Sequence, residues 1–158
     1  MDRLAAAFER IRERGVAVPE GRVFLDEYGD SPELSARLIA LIRDGDKRAT
    51  CMSVAGLEAD GEREPAVGDV AIVLDHAGEP VLLTRVTASS HVAFADVTAE
   101  FAAKEGEGDR TLEDWRRGHR AFFERECARL GTVFHERLEL VCQEFELLAV
   151  LAPRNERN

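Results

Sequence analysis

The sequence predicts an α+β fold in which helices surround a small, mostly antiparallel β-barrel. Helical periodicity comes first along the chain, strand-like apolar runs occupy the middle, and further helical stretches precede a closing apolar run. The 158 residues are 45% hydrophobic and 33% charged, which suits one soluble domain large enough for a core. The chain shows no internal repeat or low-complexity tract that would indicate another architecture.

Two helices are predicted before the first strand. Leu4, Phe8 and Ile11 recur at helical spacing, so the first dozen residues form an amphipathic helix. The second helix begins after Ser31, whose side chain can cap the free backbone N–H groups. It ends at Gly45, because glycine readily adopts the left-handed conformation that follows a helix.

The remainder of the chain reads as strands, two further helices and an acidic loop. Residues 56–65 are acidic and contain glycine, which indicates a surface loop. Apolar or extended runs predict strands at residues 50–54, 70–74, 81–86, 91–95 and 138–150. Helical spacing predicts a short helix over 97–104 and a long one over 112–130.

Composition limits the kinds of site and partner. Cys51, Cys127 and Cys142 are odd in number and lack framework spacing, which favours reduced thiols and a cytoplasmic location. Neither CxxC nor HExxH occurs, so we expect no metal and no cofactor. No apolar run is long enough to cross a bilayer, so no membrane partner is expected. The net charge of −10 disfavours long duplex nucleic acid but leaves room for a local basic pocket.

Two unusual stretches carry a family resemblance. The first is Gly45-Asp46-Lys47-Arg48-Ala49-Thr50-Cys51, where the second helix gives way to a strand, and the second runs from Ala103 to Leu112. With Tyr28-Gly29-Asp30-Ser31-Pro32-Glu33-Leu34, Val67-Gly68-Asp69 and Trp115-Arg116, they resemble the ASCH domain, of the PUA-like group of small β-barrels associated with RNA and modified nucleosides. The resemblance implies a PUA-like domain over residues 28–152. Residues 1–27 are then a helical extension packed on it, and 153–158 a polar tail.

The resemblance also implies catalytic residues. In an amidohydrolase branch of the family, a Lys and a Thr act with a downstream Glu, and the pattern corresponds here to Lys47, Thr50 and Glu105. By themselves these residues also fit an ordinary helix cap and an acidic loop. Residues three apart in a strand face opposite ways, so Lys47 must lie in the turn before the strand. The sequence leaves open which residue is nucleophile, base or oxyanion stabiliser.

Five further residues are candidate ligand contacts. Arg48, Arg110 and Arg116 would supply local positive charge, although such arginines are commonly solvated or paired with acids. Arg48 also stands where the family commonly has Thr. Trp115 and His119 lie one turn apart on a helix and could stack on a base, or equally could pack in the core.

The preferred function is metal-independent hydrolysis of the amide of an N-acylated cytosine nucleoside. RNA phosphodiester cleavage and non-catalytic binding of RNA or a nucleotide are the alternatives. The expected ligands are a nucleoside, a nucleotide or a short single-stranded RNA. Because such a ligand needs local compensation on an acidic chain, we expect the surface around Lys47 and Arg48 to be the least negative of the protein.

Overall fold

The computed structural model describes residues 2–151. Its helices are α1 (Arg3–Glu13), α2 (Pro32–Asp44), α3 (Val54–Asp60), α4 (Ala99–Glu105) and α5 (Leu112–Leu130), with a short 3₁₀ turn at Phe94–Asp96. Its strands are β1 (Val23–Glu27), β2 (Ala49–Ser53), β3 (Val70–Leu74), β4 (Pro80–Ala93) and β5 (Glu139–Val150). No helix of the described residues has both the length and the apolar character needed to cross a bilayer.

The five strands form one sheet in the order β1-β3-β4-β5-β2. β1 and β3 are parallel, whereas the other three pairs are antiparallel. The sheet is a half-barrel with helices around it, so the predicted α+β fold is confirmed. β1 and β2 are its two edge strands, and the free edge of β2 is central to the site described below.

The helix and strand predictions hold for most of the chain. α2 has the expected caps: the Ser31 hydroxyl accepts a hydrogen bond from the Leu34 N–H at 3.2 Å, and Gly45 is left-handed with φ 93°. The long helix over 112–130 is confirmed. The two strands predicted at 81–86 and 91–95 are one strand, β4, whose register shifts between Val86 and Ala88. Such a shift bends a strand without ending it.

Two elements were not predicted. β1 lies within the stretch expected to be a helical extension, and it joins the sheet by pairing with β3. Its short, half-buried run carries little local signal because its stability depends on that distant partner. The predicted loop at 56–65 was wrong over its first half, where α3 forms. The Ser53 hydroxyl caps α3 by accepting the Gly56 N–H, an effect that outweighs the helix-weakening glycine.

Three apolar clusters hold the layers together. Phe94, Trp115 and Phe123 pack α5 against one face of β4 and β5. Ile39 and Phe145 belong to a second cluster, which joins α2 to the opposite face. The third cluster places the N-terminal helix on the sheet through Ile11, Ile72 and Leu83. The polar tail predicted at 153–158 lies outside the described residues, and the proposed division into domains remains a prediction.

Candidate functional site

A close backbone approach brings Lys47 beside Glu105. Gly106 follows the last residue of α4 in a left-handed conformation, φ 70°. A Cβ built there would lie 2.6 Å from the carbonyl carbon of Asp46, so only glycine lets the two segments meet. The Arg48 N–H donates to the Lys104 carbonyl at 2.8 Å and fixes the contact. Residues 58 apart in sequence thereby become neighbours.

Lys47 lies in the turn before β2, as strand geometry required. Its side chain is 1% exposed, and its ammonium donates to the Ala49 carbonyl at 2.7 Å and to the Glu105 carbonyl at 3.4 Å. A third bond joins Nζ to the Glu107 carboxylate at 3.2 Å. Three acceptors around one nitrogen match the three donors of a charged ammonium. Lys47 is therefore a buried, fully bonded cation.

Glu105 is a buried carboxylate held by two donors. Its Oε2 accepts from the indole N–H of Trp115 at 2.5 Å and lies 2.7 Å from Nε2 of His119. Burial raises the pKa of this carboxyl, but the charges of Lys47 and His119 and the two hydrogen bonds outweigh it and lower the pKa to about 2. Oε1 is buried and has no hydrogen-bond partner among the described residues. One oxygen of an ionised carboxylate thus remains available to a ligand.

His119 bridges Glu105 and the backbone of α5. Nδ1 lies 2.9 Å from the Trp115 carbonyl and Nε2 faces the Glu105 carboxylate, so both ring nitrogens meet acceptors. An imidazole can donate from both nitrogens only when protonated. Burial lowers its pKa, but the Glu105 charge and hydrogen bond raise it above the ordinary value overall. The imidazole also stacks on the Trp115 ring, with centroids 4.2 Å apart.

β2 presents its free edge to the same region. The Phe145 N–H donates to the Arg48 carbonyl. Because residues along an antiparallel strand alternately bond to the partner strand and face away from it, the backbone N–H and C=O groups of Ala49 and Cys51 point away from β5. The bond from Lys47 to the Ala49 carbonyl agrees with this geometry. Side chains alternate too: Thr50 lies on the face of its partner Gln143, and Cys51 lies on the opposite face.

One cavity of about 600 Å³ connects these groups. Of the predicted catalytic and ligand-contact residues, its lining includes Lys47, Thr50, Glu105, Trp115 and His119. The lining extends from α2 to α5 and includes both apolar walls and polar groups. The three residues expected to be catalytic therefore meet at one cavity, as the hypothesis required.

The three candidate arginines lie elsewhere. The Arg48 guanidinium donates to the carbonyls of Ile42 and Lys47 at the end of α2. Arg110 pairs with the Asp46 carboxylate at 2.6 Å, and Arg116 donates to a backbone carbonyl at 3.4 Å. None of the three lines the cavity.

The family match extends over most of the chain. A model of the ASCH domain matches residues 25–149. The chain belongs to the ASCH domain family. An ASCH domain from Lactobacillus crispatus JV V101 has a similar structure, with a TM-score of 0.79 and 30% identity, covering 93% of this chain and 94% of that one. The model match and this structure confirm the family that the sequence motifs indicated. The ASCH domain is a PUA-like RNA-binding fold.

Two other solved structures share the fold. Protein EF3133 from Enterococcus faecalis V583 is 26% identical with a TM-score of 0.79, covering 99% of this chain and 96% of that one. Hypothetical protein PH0355 is 20% identical with a TM-score of 0.51, covering 79% of this chain and 100% of that one, and shows likeness of fold alone. No curated protein matches the chain.

The lining of the ASCH cavity is acidic. Its lining holds eight carboxylates against three Lys or Arg side chains and His119. Lys47 pairs with Glu107 and Arg125 with Asp30, which leaves Arg37 as the lining Lys or Arg side chain without an ion pair among residues 2–151. The excess acid of the whole chain is thus present in the cavity itself, which opposes phosphate groups.

The ASCH cavity contains residues that sequence reasoning missed. Tyr28 is buried with its ring 5.9 Å from Nζ of Lys47, and Asp26 lines the wall beside it. Burial raises the pKa of Asp26 to about 6. Glu107, the partner of Lys47, stands only two residues after Glu105, where it could have been singled out. Tyr28 belonged to a motif already noted, whereas nothing in sequence marked Asp26.

Cys51 is the other missed residue. Its side chain is half-buried and lines the cavity. Sγ of Cys51, a carboxylate oxygen of Glu105 and a ring nitrogen of His119 all lie within 4.8 Å of one another. Burial and the Glu105 charge raise the pKa of the thiol well above its ordinary value, so the thiol is protonated at neutral pH.

Proposed function

We propose that this ASCH domain hydrolyses the exocyclic amide of an N-acylated cytosine nucleoside, releasing the nucleoside and a carboxylate. The observation that carries the proposal is the convergence of Lys47, Thr50 and Glu105 on one cavity. An ammonium, a hydroxyl and an ionised carboxylate with a free oxygen are the groups that amide hydrolysis uses.

The cavity suits a ligand of nucleoside size. Its volume of about 600 Å³ lies within the ordinary range for small-molecule sites. Leu38 and Leu41 supply apolar wall on one side, and Trp115 and Phe122 supply it on the other. A flat base can lie between these walls along the free edge of β2.

The three catalytic candidates take different sides of the bound amide. The Lys47 ammonium exchanges its longest hydrogen bond, 3.4 Å to the Glu105 carbonyl, for one to the acyl oxygen, and its charge stabilises the oxyanion that forms there. Thr50 and Glu105 reach the amide from opposite faces of β2. The Thr50 hydroxyl contacts the acyl group, while the free Oε1 of Glu105 orients the attacking water and takes up its proton. As the C–N bond breaks, Glu105 passes that proton to the exocyclic nitrogen, so the nucleoside leaves with a free amino group and the acyl group leaves as a carboxylic acid that ionises in water.

Charge favours a nucleoside over a nucleotide or a polymer. The lining is acidic, and the chain carries −10 overall. A phosphate group would have to enter against this field, whereas an uncharged acylated base and ribose would not. RNA cleavage and RNA binding are therefore the less favoured functions of this site.

The direct test is a substrate panel with the wild-type protein in the presence of a chelator. N4-acetylcytidine, N4-acetyl-2′-deoxycytidine and a single-stranded RNA oligonucleotide are incubated separately, and the products are separated by chromatography. We expect cytidine and acetate in equal amounts from the first substrate and an intact oligonucleotide. Cleaved oligonucleotide with untouched N4-acetylcytidine would refute the proposal in favour of a ribonuclease. If neither changes, the domain is a binding module.

A matched variant separates this activity from contamination. Glu105→Gln keeps the shape of the side chain and removes its charge, and Glu100→Gln makes the same change at an exposed position of α4. We expect hydrolysis to fall by about 100-fold or more in the first and to persist in the second. Equal rates in both would remove Glu105 from the mechanism.

A further inference from the structure

We propose that Cys51, Glu105 and His119 form a binding site for a thiophilic divalent cation of the Zn²⁺ class. The thiol sulfur, carboxylate oxygen and imidazole nitrogen lie within 4.8 Å of one another. These are the three side-chain donor types that zinc prefers, and a modest contraction brings them to bonding distance. β2, α4 and α5 each contribute one donor, so the site depends on the tertiary fold.

A second observation points to a ligand at the same place. Oε1 of Glu105 is buried, and within residues 2–151 no group donates a hydrogen bond of ordinary geometry to it. The Cys51 thiol is a weak donor that faces the Glu105 carboxylate, so a buried carboxylate oxygen is poorly satisfied, and a cation that replaced the thiol proton would relieve that cost. Oε2 keeps its bond from the Trp115 indole, which would hold the ligating carboxylate in place.

His119 is also oriented as a ligand. Its Nδ1 lies 2.9 Å from the Trp115 carbonyl, and its Nε2 points to Glu105. In zinc sites the non-ligating ring nitrogen commonly donates to a carbonyl or carboxylate in this way. Stacking on the Trp115 ring further restricts the imidazole.

The charges balance when the cation binds. The thiol and the imidazolium each release one proton, leaving a thiolate, a neutral imidazole and the Glu105 carboxylate around the dication. Two positive charges enter and two protons leave, so the buried charge is unchanged. The cation's own field promotes loss of the thiol proton. Lys47 does not oppose binding strongly because the Glu107 carboxylate pairs with it.

Binding at this site would inhibit hydrolysis, and this part of the inference rests on the proposed function. The cation would occupy the free oxygen of Glu105 that the reaction needs. It would also remove the proton from His119 that now holds Oε2. The ASCH domain would then be active without metal and reversibly blocked by a thiophilic one.

The test for binding uses Co²⁺ as a spectroscopic probe with the full chain. We expect a thiolate-to-cobalt absorption band that saturates at one equivalent and disappears when Zn²⁺ is added. Cys51→Ala should lose the band, and Glu105→Gln should weaken Co²⁺ binding by at least about tenfold. Cys142→Ala is the matched control, since it removes a thiol directly opposite Cys51 in the sheet, and it should keep the band.

Several outcomes would overturn the site. Absence of the band in a folded wild-type chain, verified by thermal melting, would overturn it. Retention of the cobalt band in Cys51→Ala would also overturn it. So would a loss of the band in Cys142→Ala equal to the loss in Cys51→Ala. The inhibition is tested separately by comparing each protein's hydrolysis of N4-acetylcytidine with and without one equivalent of Zn²⁺. A cobalt band without hydrolysis under chelator would refute the proposed function alone, and hydrolysis unaffected by bound Zn²⁺ would refute the inhibition alone.

Discussion

Gly106 permits the close approach that brings Lys47 beside Glu105. It has a positive φ and lies directly against the Asp46–Lys47 backbone. Gly131 also has a positive φ, but nothing lies within 4 Å of the place its Cβ would occupy. Substitutions at Gly106 and Gly131 therefore separate the free-energy cost of a left-handed backbone from the cost of a clash with neighbouring backbone.

We predict that Gly106→Ala destabilises the protein more than Gly131→Ala does. The left-handed conformation should cost each variant about 1–2 kcal/mol. The clash at Gly106 should add about 1–3 kcal/mol and move Lys47 away from Glu105. Urea unfolding of both variants gives the comparison. Equal losses of unfolding free energy would contradict the close approach.

Thr50 gives a second test at this scale, because its hydroxyl can be kept or removed. Thr50→Ser retains the hydroxyl, so we predict measurable hydrolysis of N4-acetylcytidine. Thr50→Ala removes it and should lower kcat by about 100-fold or more. Rates are compared alongside thermal melting of each variant. Similar rates for the two variants would show that the hydroxyl takes no part.

Burial of Lys47 changes what its truncation should do. A lysine that follows a helix cap is ordinarily exposed, and its truncation to alanine then costs little stability. The side chain is instead 1% exposed and satisfies three acceptors, so its removal leaves a cavity and an unpaired Glu107. Lys47→Met is the better variant, because it fills the space of the apolar stem.

At the scale of elements, the sequence predicted the helices and strands that are stabilised by residues close by in the chain. α2 was predictable because Ser31 and Gly45 cap it through neighbouring backbone groups. β1 was not, because five half-buried residues become a strand only through pairing with β3. α3 was missed because acidic residues and glycine masked the cap at Ser53.

His91 joins β4 to β5 and to the loop before β3, and its contribution should depend on pH. Its ring lies 2.7 Å from both Glu139 and Glu64, and hydrogen bonds to these two carboxylates raise its pKa above the ordinary value. A raised pKa means that the native state favours protonated His91. The stabilisation is therefore full below about pH 6.5 and is lost as pH rises through the folded-state pKa.

We predict that His91→Ala lowers the melting temperature at acidic pH, where His91 is protonated, and not at a pH above its folded-state pKa. The imidazole is exposed, so the loss should be no more than about 1 kcal/mol. Melting curves of wild type and variant between pH 5.5 and 8.5 provide the measurement. If the difference in melting temperature between wild type and His91→Ala grew as the pH rose, the predicted direction of the pH dependence would be wrong.

At the scale of the whole molecule, we expect charge to select the ligand. The net charge of −10 was evident from sequence, but its presence inside the cavity was not. The family motif located Lys47 and Glu105, whereas the carboxylates that surround them come from distant segments. Asp26, Glu62 and Glu126 reach the lining only because the fold assembles them. Sequence therefore indicated the proposed catalytic groups better than it indicated their electrostatic setting.

We predict that a 5′-phosphate impairs the substrate. N4-acetylcytidine 5′-monophosphate should show kcat/KM at least about fivefold below that of N4-acetylcytidine at low salt, because the acidic cavity repels the phosphate. The ratio should approach one as salt shortens the screening length from about 30 Å to about 8 Å. Faster turnover of the monophosphate would show that a cation binds it.

The most direct test of the central claim compares Lys47→Met with Arg48→Met. Both variants lose one cation from adjacent positions, but only Lys47 lines the cavity. kcat/KM for N4-acetylcytidine is measured for both and for wild type, with melting curves to verify folding. We predict a loss of about 100-fold or more for Lys47→Met and a rate near wild type for Arg48→Met. Wild-type kcat/KM in folded Lys47→Met would contradict the proposed catalytic site.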